Sequence, residues 1–406
     1  MSLPSIRVRI GFNQEVLELD DLIRGKLNFN KLAGATVFTD VTNKTLSVST
    51  SRGRSRDLDA FTTGTATILL DNLDAGFDPT NASGAYFGGI EPLMAVVIDA
   101  TTDGGSNYYD IFTGFVNTWL VNYPNSADST VSVTCSDAFM KLANTQLNSA
   151  SISSANTGAF ITSILDNASV AFSPDRSIET GNSTMASQTL SENTLGAIQT
   201  AEFSEQGAVF IAKNGDFIFK QRHSTYPSTI SATFSDDGSD LPYNRMDQIL
   251  GNDFLFNNVR LKREGGSEQT ASDPASQSKY LIRTFSRQDL YNSTDANVAD
   301  IANHILAKFA EVDPRFSDVE VDLDNLSTSQ QNSVLDLECI DTVKVEITPV
   351  GTSTQVSRFS IIDGVQWTIT PTSQKVIFLT SDSSDAQFMI LDSSLFGKLD
   401  DAKLGY

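Results

Sequence analysis

The feature that most constrains this chain is an internal repeat. Leu70-Asp71-Asn72-Leu73 recurs as Leu323-Asp324-Asn325-Leu326. Each copy closes a strand-like stretch, 65–70 in the first and 319–323 in the second. Met94-x-Val96-x-Ile98 is then answered by Val343-x-Val345-x-Ile347, and Gly114-x-Val116-x-x-Trp119 by Gly364-Val365-x-Trp367. Tyr123-Pro124 is answered by Thr370-Pro371, and the run from Val131 to Asp137 by the run from Val376 to Asp382. The order is kept while the offset falls from 253 to 245, and both tryptophans of the chain take part. Self-similarity of this kind marks a duplicated structural unit. Trp119, Trp367, Leu70, Leu323 and Cys135 are the expected core of the repeat.

Local patterning says what is duplicated. Val8, Ile10 and Phe12 alternate with Arg7, Arg9 and Gly11, and Val131, Val133 and Cys135 with Ser132 and Thr134. Leu335, Leu337 and Cys339 alternate with Asp336 and Glu338, and Val343, Val345 and Ile347 with Lys344 and Glu346. Period-two alternation reads as strands buried on one face. Helical spacing is confined to the middle and to one later stretch. Phe160, Ile161, Ile164, Leu165 and Ala168 form one stripe, and Leu195, Ile198 and Ala201 a second, behind a capping box over Thr189–Glu192. The third, Val298, Ile301, Ile305 and Phe309, begins near Asp295 and stops before Pro314. A hairpin over 208–220 turns at Asn214-Gly215, and 264–278 reads as a long exposed loop.

The fold class expected is therefore mainly β with some α, an α+β protein. Residues 36–147 and 229–382 form two related β-barrel or β-sandwich domains, the second carrying an inserted helix over 295–311. Residues 148–228 form a small α+β domain between them, 1–35 an extended N-terminal segment and 383–406 a C-terminal tail.

Charge narrows the function. The formal net charge is −22, whereas a protein that coats nucleic acid needs basic surface. The same sign argues against docking on anionic lipid. No apolar run approaches the roughly 20 residues of a membrane span, and no secretory h-region follows the N-terminus. Two histidines and two cysteines in the whole chain leave little material for a zinc site or a disulfide framework. No metal and no cofactor is expected. His223 and His304 stand without a G-x-S-x-G elbow, an H-E-x-x-H pair or a phosphate-binding glycine loop. The Asp71, Asp74, Asp78 group and the Asp236, Asp237, Asp240 group read as turn caps, so no enzyme is expected. Asp137 and Ser136 read as the N-cap of a short helix through Leu142.

Longer stretches resemble the tail-tip or baseplate hub (minor tail) proteins of long-tailed bacteriophages. They are Phe61-x-x-Gly64-Thr65-Ala66-Thr67-Ile68-x-Leu70-Asp71-Asn72, Phe112-Thr113-Gly114-Phe115-Val116-x-x-Trp119 and Ser136-Asp137-Ala138-Phe139-x-Lys141-Leu142-Ala143. Phe254-x-Phe256-Asn257-Asn258-Val259, Asp273-x-x-Ser276-x-x-x-Tyr280-x-x-Arg283 and Leu391-Asp392-Ser393-Ser394-x-x-Gly397 continue the series. The loop Asp74-Ala75-Gly76 departs from it by lacking a basic residue.

The resemblance implies a virion protein at the tail tip, assembled in the host cytoplasm. Two tube-type domains per chain and a homotrimer would make a pseudo-sixfold ring that adapts a sixfold tail tube to a threefold fibre or spike. The implied partners are further copies of the chain, a distal tail or tail-tube protein above, a central fibre or spike protein below, and a tape measure protein in the channel. DNA would pass without specific binding, and no membrane anchor is implied. An alternative is a receptor- or carbohydrate-binding module housed in 150–222 or 264–278.

Under the hub reading, polar-face acids of the repeat strands become channel-lining candidates: Glu320, Asp322, Asp336, Glu338 and Glu346. Carboxylates facing DNA prevent the phosphate contacts that create affinity. The same acids could equally face outer solvent. Arg52, Arg54 and Arg56 either meet acids of a neighbouring subunit or form a solvated turn.

Overall fold

The computed structural model describes residues 2–12, 36–125, 128–170, 172–225, 229–253, 255–312 and 314–382. The quoted Phe254, most of the 1–35 segment and the 383–406 tail lie outside the described residues.

The first repeat is built from β1 (Ser5–Ile10), β2 (Thr39–Asp40), β3 (Thr45–Gly53), β4 (Thr62–Asp71), β5 (Ala95–Thr101), β6 (Tyr109–Asn125) and β7 (Asp128–Ser136), closed by α1 (Phe139–Ala143). A middle unit follows: β8 (Ala150–Ile152), β9 (Ala155–Asn156), α2 (Thr157–Leu165), β10 (Arg176–Ile178), β11 (Thr184–Met185), β12 (Gln188–Leu190), α3 (Thr194–Glu205), β13 (Ala208–Ile211) and β14 (Phe217–Lys220). The second repeat opens with β15 (Ala232–Ser235) and β16 (Arg245–Ile249). It is interrupted by β17 (Asn258–Arg263), β18 (Gln269–Ser272), α4 (Pro274–Tyr280), β19 (Thr284–Leu290) and α5 (Asp295–Phe309). It resumes with β20 (Arg315–Asp322), α6 (Thr328–Asp336), β21 (Thr342–Ile347), β22 (Val356–Thr370) and β23 (Ser373–Asp382).

The two repeats share one topology. Neighbouring strands run β3-β4-β7-β6-β5-β1 in the first and β16-β20-β23-β22-β21-β15 in the second. Chain order maps one list onto the other, strand for strand. A single difference is the outermost pair, antiparallel for β1 and β5 but parallel for β15 and β21.

Register fixes the residue equivalences. Ile68 and Trp119 both face Val133, while Val321 and Trp367 both face Val376. Leu70 and Leu323 are therefore equivalent, as the tetrapeptide match requires. The last match moves by two residues, because Val133 rather than Val131 answers Val376. A slip of two keeps every side chain on its face, so alternation alone could not detect it. Each long strand also carries a bulge near its glycine, between Val116 and Thr118 in β6 and between Ile362 and Gly364 in β22, and β6 has further irregularities in its pairing with β5 and near Asn122–Asn125.

The repeats join edge to edge. β22 pairs antiparallel with β3, which merges both into one sheet of 13 strands. Beneath it lies one apolar core that holds Ile68, Leu70, Val133, Cys135, Val319, Leu323, Val376 and Phe378, each almost fully buried. Burying such a side chain stabilises by roughly 1.5–3 kcal/mol. Among the described residues no helix is long and apolar enough to cross a membrane.

The middle unit packs into the same core. α2 is capped by the Asn156 side chain and buries Phe160, Ile161, Ile164 and Leu165. The β13–β14 hairpin turns at Gly215, whose φ of +96° suits glycine. Phe210 meets Phe61, and Phe217 meets Phe139, tying the hairpin to the first repeat.

Four local readings change. The alternating stretch Leu335, Leu337, Cys339 is not a strand. α6 occupies Thr328–Asp336, started by a capping box between Ser327 and Gln330. That cap satisfies backbone donors locally, and alternation over five residues is too short to oppose it. The box at Thr189–Glu192 does not cap α3. Thr189 pairs in β12, and the Asn193 side chain accepts from Gly196 N instead. The stretch 264–278 is ordered as β18 and as α4, which the Asp273 side chain caps. The insertion is larger than one helix: β17, β18, β19, α4 and α5 enclose a second core of Val259, Leu261, Leu290, Val298, Ile301, Ile305 and Phe309.

Candidate assembly interface

The seam inside the chain, where β3 meets β22, is the best-formed contact between repeats. Its register sets Arg52 opposite Val365, Thr50 opposite Trp367, Ser49 opposite Thr368 and Val48 opposite Ile369. On the core side it leaves Trp367 4 % exposed, Ile369 4 %, Thr50 5 % and Val48 2 %.

Charge locks this seam. Arg52 on β3 donates from Nη1 to Glu338 Oε1 at 2.9 Å, and Glu338 Oε2 accepts from Lys213 N at 2.8 Å. Lys213 Nζ in turn donates to the carbonyls of Leu335 at 2.9 Å and Asp336 at 2.6 Å, at the end of α6. Both repeats and the middle unit thus meet on one ion pair. Burial pushes the Glu338 carboxyl up, but Arg52 and the N–H groups of Lys213 and Cys339 outweigh it and hold the group below its ordinary value.

A second ionic junction adjoins the first. Arg54 Nε donates to Asp363 Oδ1 at 2.7 Å, and its Nη2 to Asp57 Oδ1 at 3.1 Å. Lys308 of α5 also pairs with Asp57. Around them lies a cavity of about 80 Å³ lined by Arg54, Asp57, Glu202, Arg287, His304 and Lys308. Burial pushes the Glu202 carboxyl up to about 7, against the N–H of Val209 that it accepts. Burial, helped by Lys308 and Arg222, pushes His304 down to about 3. The imidazole is neutral at pH 7. Among the described residues no group of three His, Cys, Asp or Glu side chains could hold a metal.

Among the described residues, two further edges resemble the seam and carry no partner strand. β6 runs on past its pairing with β5, which ends at Phe115, while its other side stays paired with β7. Among the described residues no backbone group bonds the free side of 117–123. At the far end of the sheet β16 pairs, among the described residues, with β20 alone. These edges expose Leu120 (58 %), Tyr123 (54 %) and Ile249 (54 %). Trp119 and Met246 are half-buried against the core, whereas Trp367 and Thr50, their counterparts at the seam, are closed over.

The five candidate acids separate. Glu320 and Asp322 share the polar face of β20, each within 4 Å of Lys375 Nζ, at 3.8 and 3.6 Å. Asp318 and Asp247 join them there, facing each other across β20 and β16. Burial and the Asp247 charge raise the Asp318 carboxyl above its ordinary range. Sequence reading named neither, because Asp247 belongs to a short strand with no apolar alternation. Asp336 is exposed at the end of α6, Glu338 is the half-buried partner of the buried Arg52, and Glu346 is buried beside Lys344.

Arg52 and Arg54 are correspondingly paired inside the chain rather than standing in a solvated turn. Their partners are acids of the same chain, and both guanidinium groups are largely buried. Arg56 remains exposed. The N-cap of α1 is Ala138 and not Asp137, which lies one residue ahead of it and accepts from Phe139 N at 2.9 Å and from Gly64 N.

No protein-family model and no curated protein sequence matches the chain. Solved structures do. A 43 kDa tail protein of prophage MuSo2 from Shewanella oneidensis aligns with a TM-score of 0.57 at 11 % identity, over 94 % of this chain and 98 % of that one. A tail protein from Neisseria meningitidis aligns with a TM-score of 0.58 at 10 % identity, over 94 % and 97 %. A prophage tail protein from Listeria monocytogenes aligns with a TM-score of 0.51 at 12 % identity, over 92 % and 94 %. The chain has the fold of phage tail proteins along nearly its whole length.

Proposed function

We propose that the chain is a structural component of a phage tail, a tail-tip hub that assembles as a homotrimer. The observation that carries this reading is the duplicated unit with one strand order in both copies. Three such chains supply six similar units, which suits a sixfold tube on one side and a threefold fibre or spike on the other. The fold shared with tail proteins supports the same placement.

The dimensions agree with a conduit. The run β16-β20-β23-β22-β3-β4-β7-β6 contributes eight neighbouring strands per chain. Closing three runs into one barrel, at about 4.8 Å between strands and a tilt of about 40°, spaces opposite backbones by roughly 48 Å. That leaves room for a nucleic-acid duplex after side chains are added. The outer face of the run carries Ser49, Ser51, Thr65, Thr67, Ser132 and Thr134 in the first repeat, and Asp318, Glu320 and Asp322 in the second. We assign this face to the channel, with a distal tail or tail-tube protein, a tape measure protein and a fibre or spike as neighbours.

Mass in solution tests the assembly: three subunits per particle is expected, and a stable monomer or dimer would contradict it. Changing Glu320 and Asp322 to lysine tests the channel. Assembly is expected to proceed while DNA release slows, and unchanged release kinetics would remove these acids from the lumen.

A further inference from the structure

We infer that the open side of β6 in one subunit pairs antiparallel with the open side of β16 in the next, setting Trp119 opposite Met246 of the neighbouring copy. The inference rests on the reading of the chain as a ring-former, and it supplies the joint.

The chain already contains one copy of this joint. At the internal seam, the strand that carries the repeat's tryptophan pairs with the first strand of the other repeat's four-strand run, β22 with β3. By register, β6 is the equivalent of β22. β16 is the equivalent of β3, because Met246 faces Val319 as Thr50 faces Ala66. Among the described residues the one pair of equivalents that does not meet inside the chain is therefore β6 and β16. They lie at opposite ends of the eight-strand run, so only a second copy can bring them together. Joining unlike edges gives a head-to-tail interface, which closes into a ring when the rotation permits.

The register follows from the seam. Thr50, Ser49 and Ser51 face Trp367, Thr368 and Gln366. Transferred to their equivalents, Met246 meets Trp119, Arg245 meets Leu120 and Asp247 meets Thr118. Burial supports the transfer. Trp367 and Ile369 are 4 % exposed at the seam, whereas Trp119 and Val121 remain half-buried at the open edge. A neighbouring β16 would cover both.

The composition of the edge supports it as well. Sheet edges that stay single carry charge or proline that blocks pairing. The stretch Asn117-Thr118-Trp119-Leu120-Val121-Asn122-Tyr123 has neither. Its exposed Leu120 and Tyr123 are apolar surface of the kind found at interfaces. On the other strand, Arg245 and Asp247 pair with each other at 2.8 Å, so that edge meets its partner without unpaired charge.

A cysteine pair tests the register. Directly opposed residues have Cα atoms about 4.5–5.5 Å apart, within disulfide reach. Leu120 and the Arg245 side chain are both more than half exposed, so Leu120→Cys with Arg245→Cys leaves the core intact. Both native cysteines are buried, which keeps the background low. Mild oxidation of the full chain is expected to give a covalent ring of three that reductant disperses. Each single variant stays uncrosslinked, as does the offset pair Leu120→Cys with Gln248→Cys.

A native three-subunit particle that fails to crosslink, or crosslinks through the offset pair, overturns the seam and leaves the ring reading standing. Crosslinked particles of another subunit number support the seam and refute the trimer. A chain that stays monomeric and uncrosslinked at high concentration overturns both.

Discussion

Arg52 carries the buried charge of the internal seam. Its guanidinium is buried at the seam, and its charge is answered by Glu338, 286 positions away in sequence. Removing one member of a buried pair costs about 3–5 kcal/mol, because the other is left charged without a partner. Arg52→Ala is therefore expected to lower the denaturation midpoint sharply, and Arg52→Met with Glu338→Leu to recover much of the loss. An Arg52→Ala protein as stable as the parent would contradict the assignment. Glu202 gives the opposite pH behaviour from a paired acid. Its folded value, about 7, lies above the ordinary glutamate value of 4.5. Stability from this group is full below pH 4.5 and falls as pH rises through 7, by about 3 kcal/mol in all. Glu202→Gln keeps an acceptor for Val209 N and is expected to flatten the stability profile between pH 5 and 8. A slope unchanged in the variant would assign the pH dependence elsewhere. The arginine cluster was visible in the sequence, but its partners were not, since Glu338 and Asp363 come close only after the second repeat has folded back.

Elements were legible where the hydrophobic period was long and the termini had clear caps. α5 follows its stripe from Val298 to Phe309 and takes its cap from Thr294. α6 was missed because Leu335 and Leu337 match a two-residue period across its C-terminal end, while Ser327 and Gln330 set its start. The inserted unit was seen only as a helix, since β17, β18 and β19 are short and bury their apolar side chains under α5 rather than in the main core. A buried side chain holds one turn of that unit in place. Asn257 donates from Nδ2 to Leu281 O at 2.8 Å and accepts from Arg283 N at 2.8 Å. Between these bonds Leu281 has φ +65° and ψ 174°, a conformation nearly restricted to glycine, with its side chain 78 % exposed. Leu281→Gly gives up little burial and relieves strain of about 1–3 kcal/mol, against about 1 kcal/mol of added chain entropy. A modest gain in thermal stability is expected. A clear loss would mean that the exposed leucine contributes packing.

The whole molecule is governed by a duplication whose copies have diverged by face. Core positions kept their apolar character, with Ile68 answered by Val321 and Val133 by Val376. That is why the repeat could be read from sequence. The outer face was free to change, so Thr65, Thr67 and Leu69 in one copy stand where Asp318, Glu320 and Asp322 stand in the other. A ring of three would then be sixfold in backbone and threefold in charge. The acidic composition alone could not show this, since Glu338 and Glu346 are used in buried contacts while Glu320 and Asp322 share a face with Asp247 and Asp318. The most direct test is an averaged projection of the purified assembly down its axis, with the subunit number counted independently by native mass. Six near-equal lobes around an open centre, built from three chains, is the predicted result. Three lobes without the sixfold repeat, or a particle with no central opening, would contradict it.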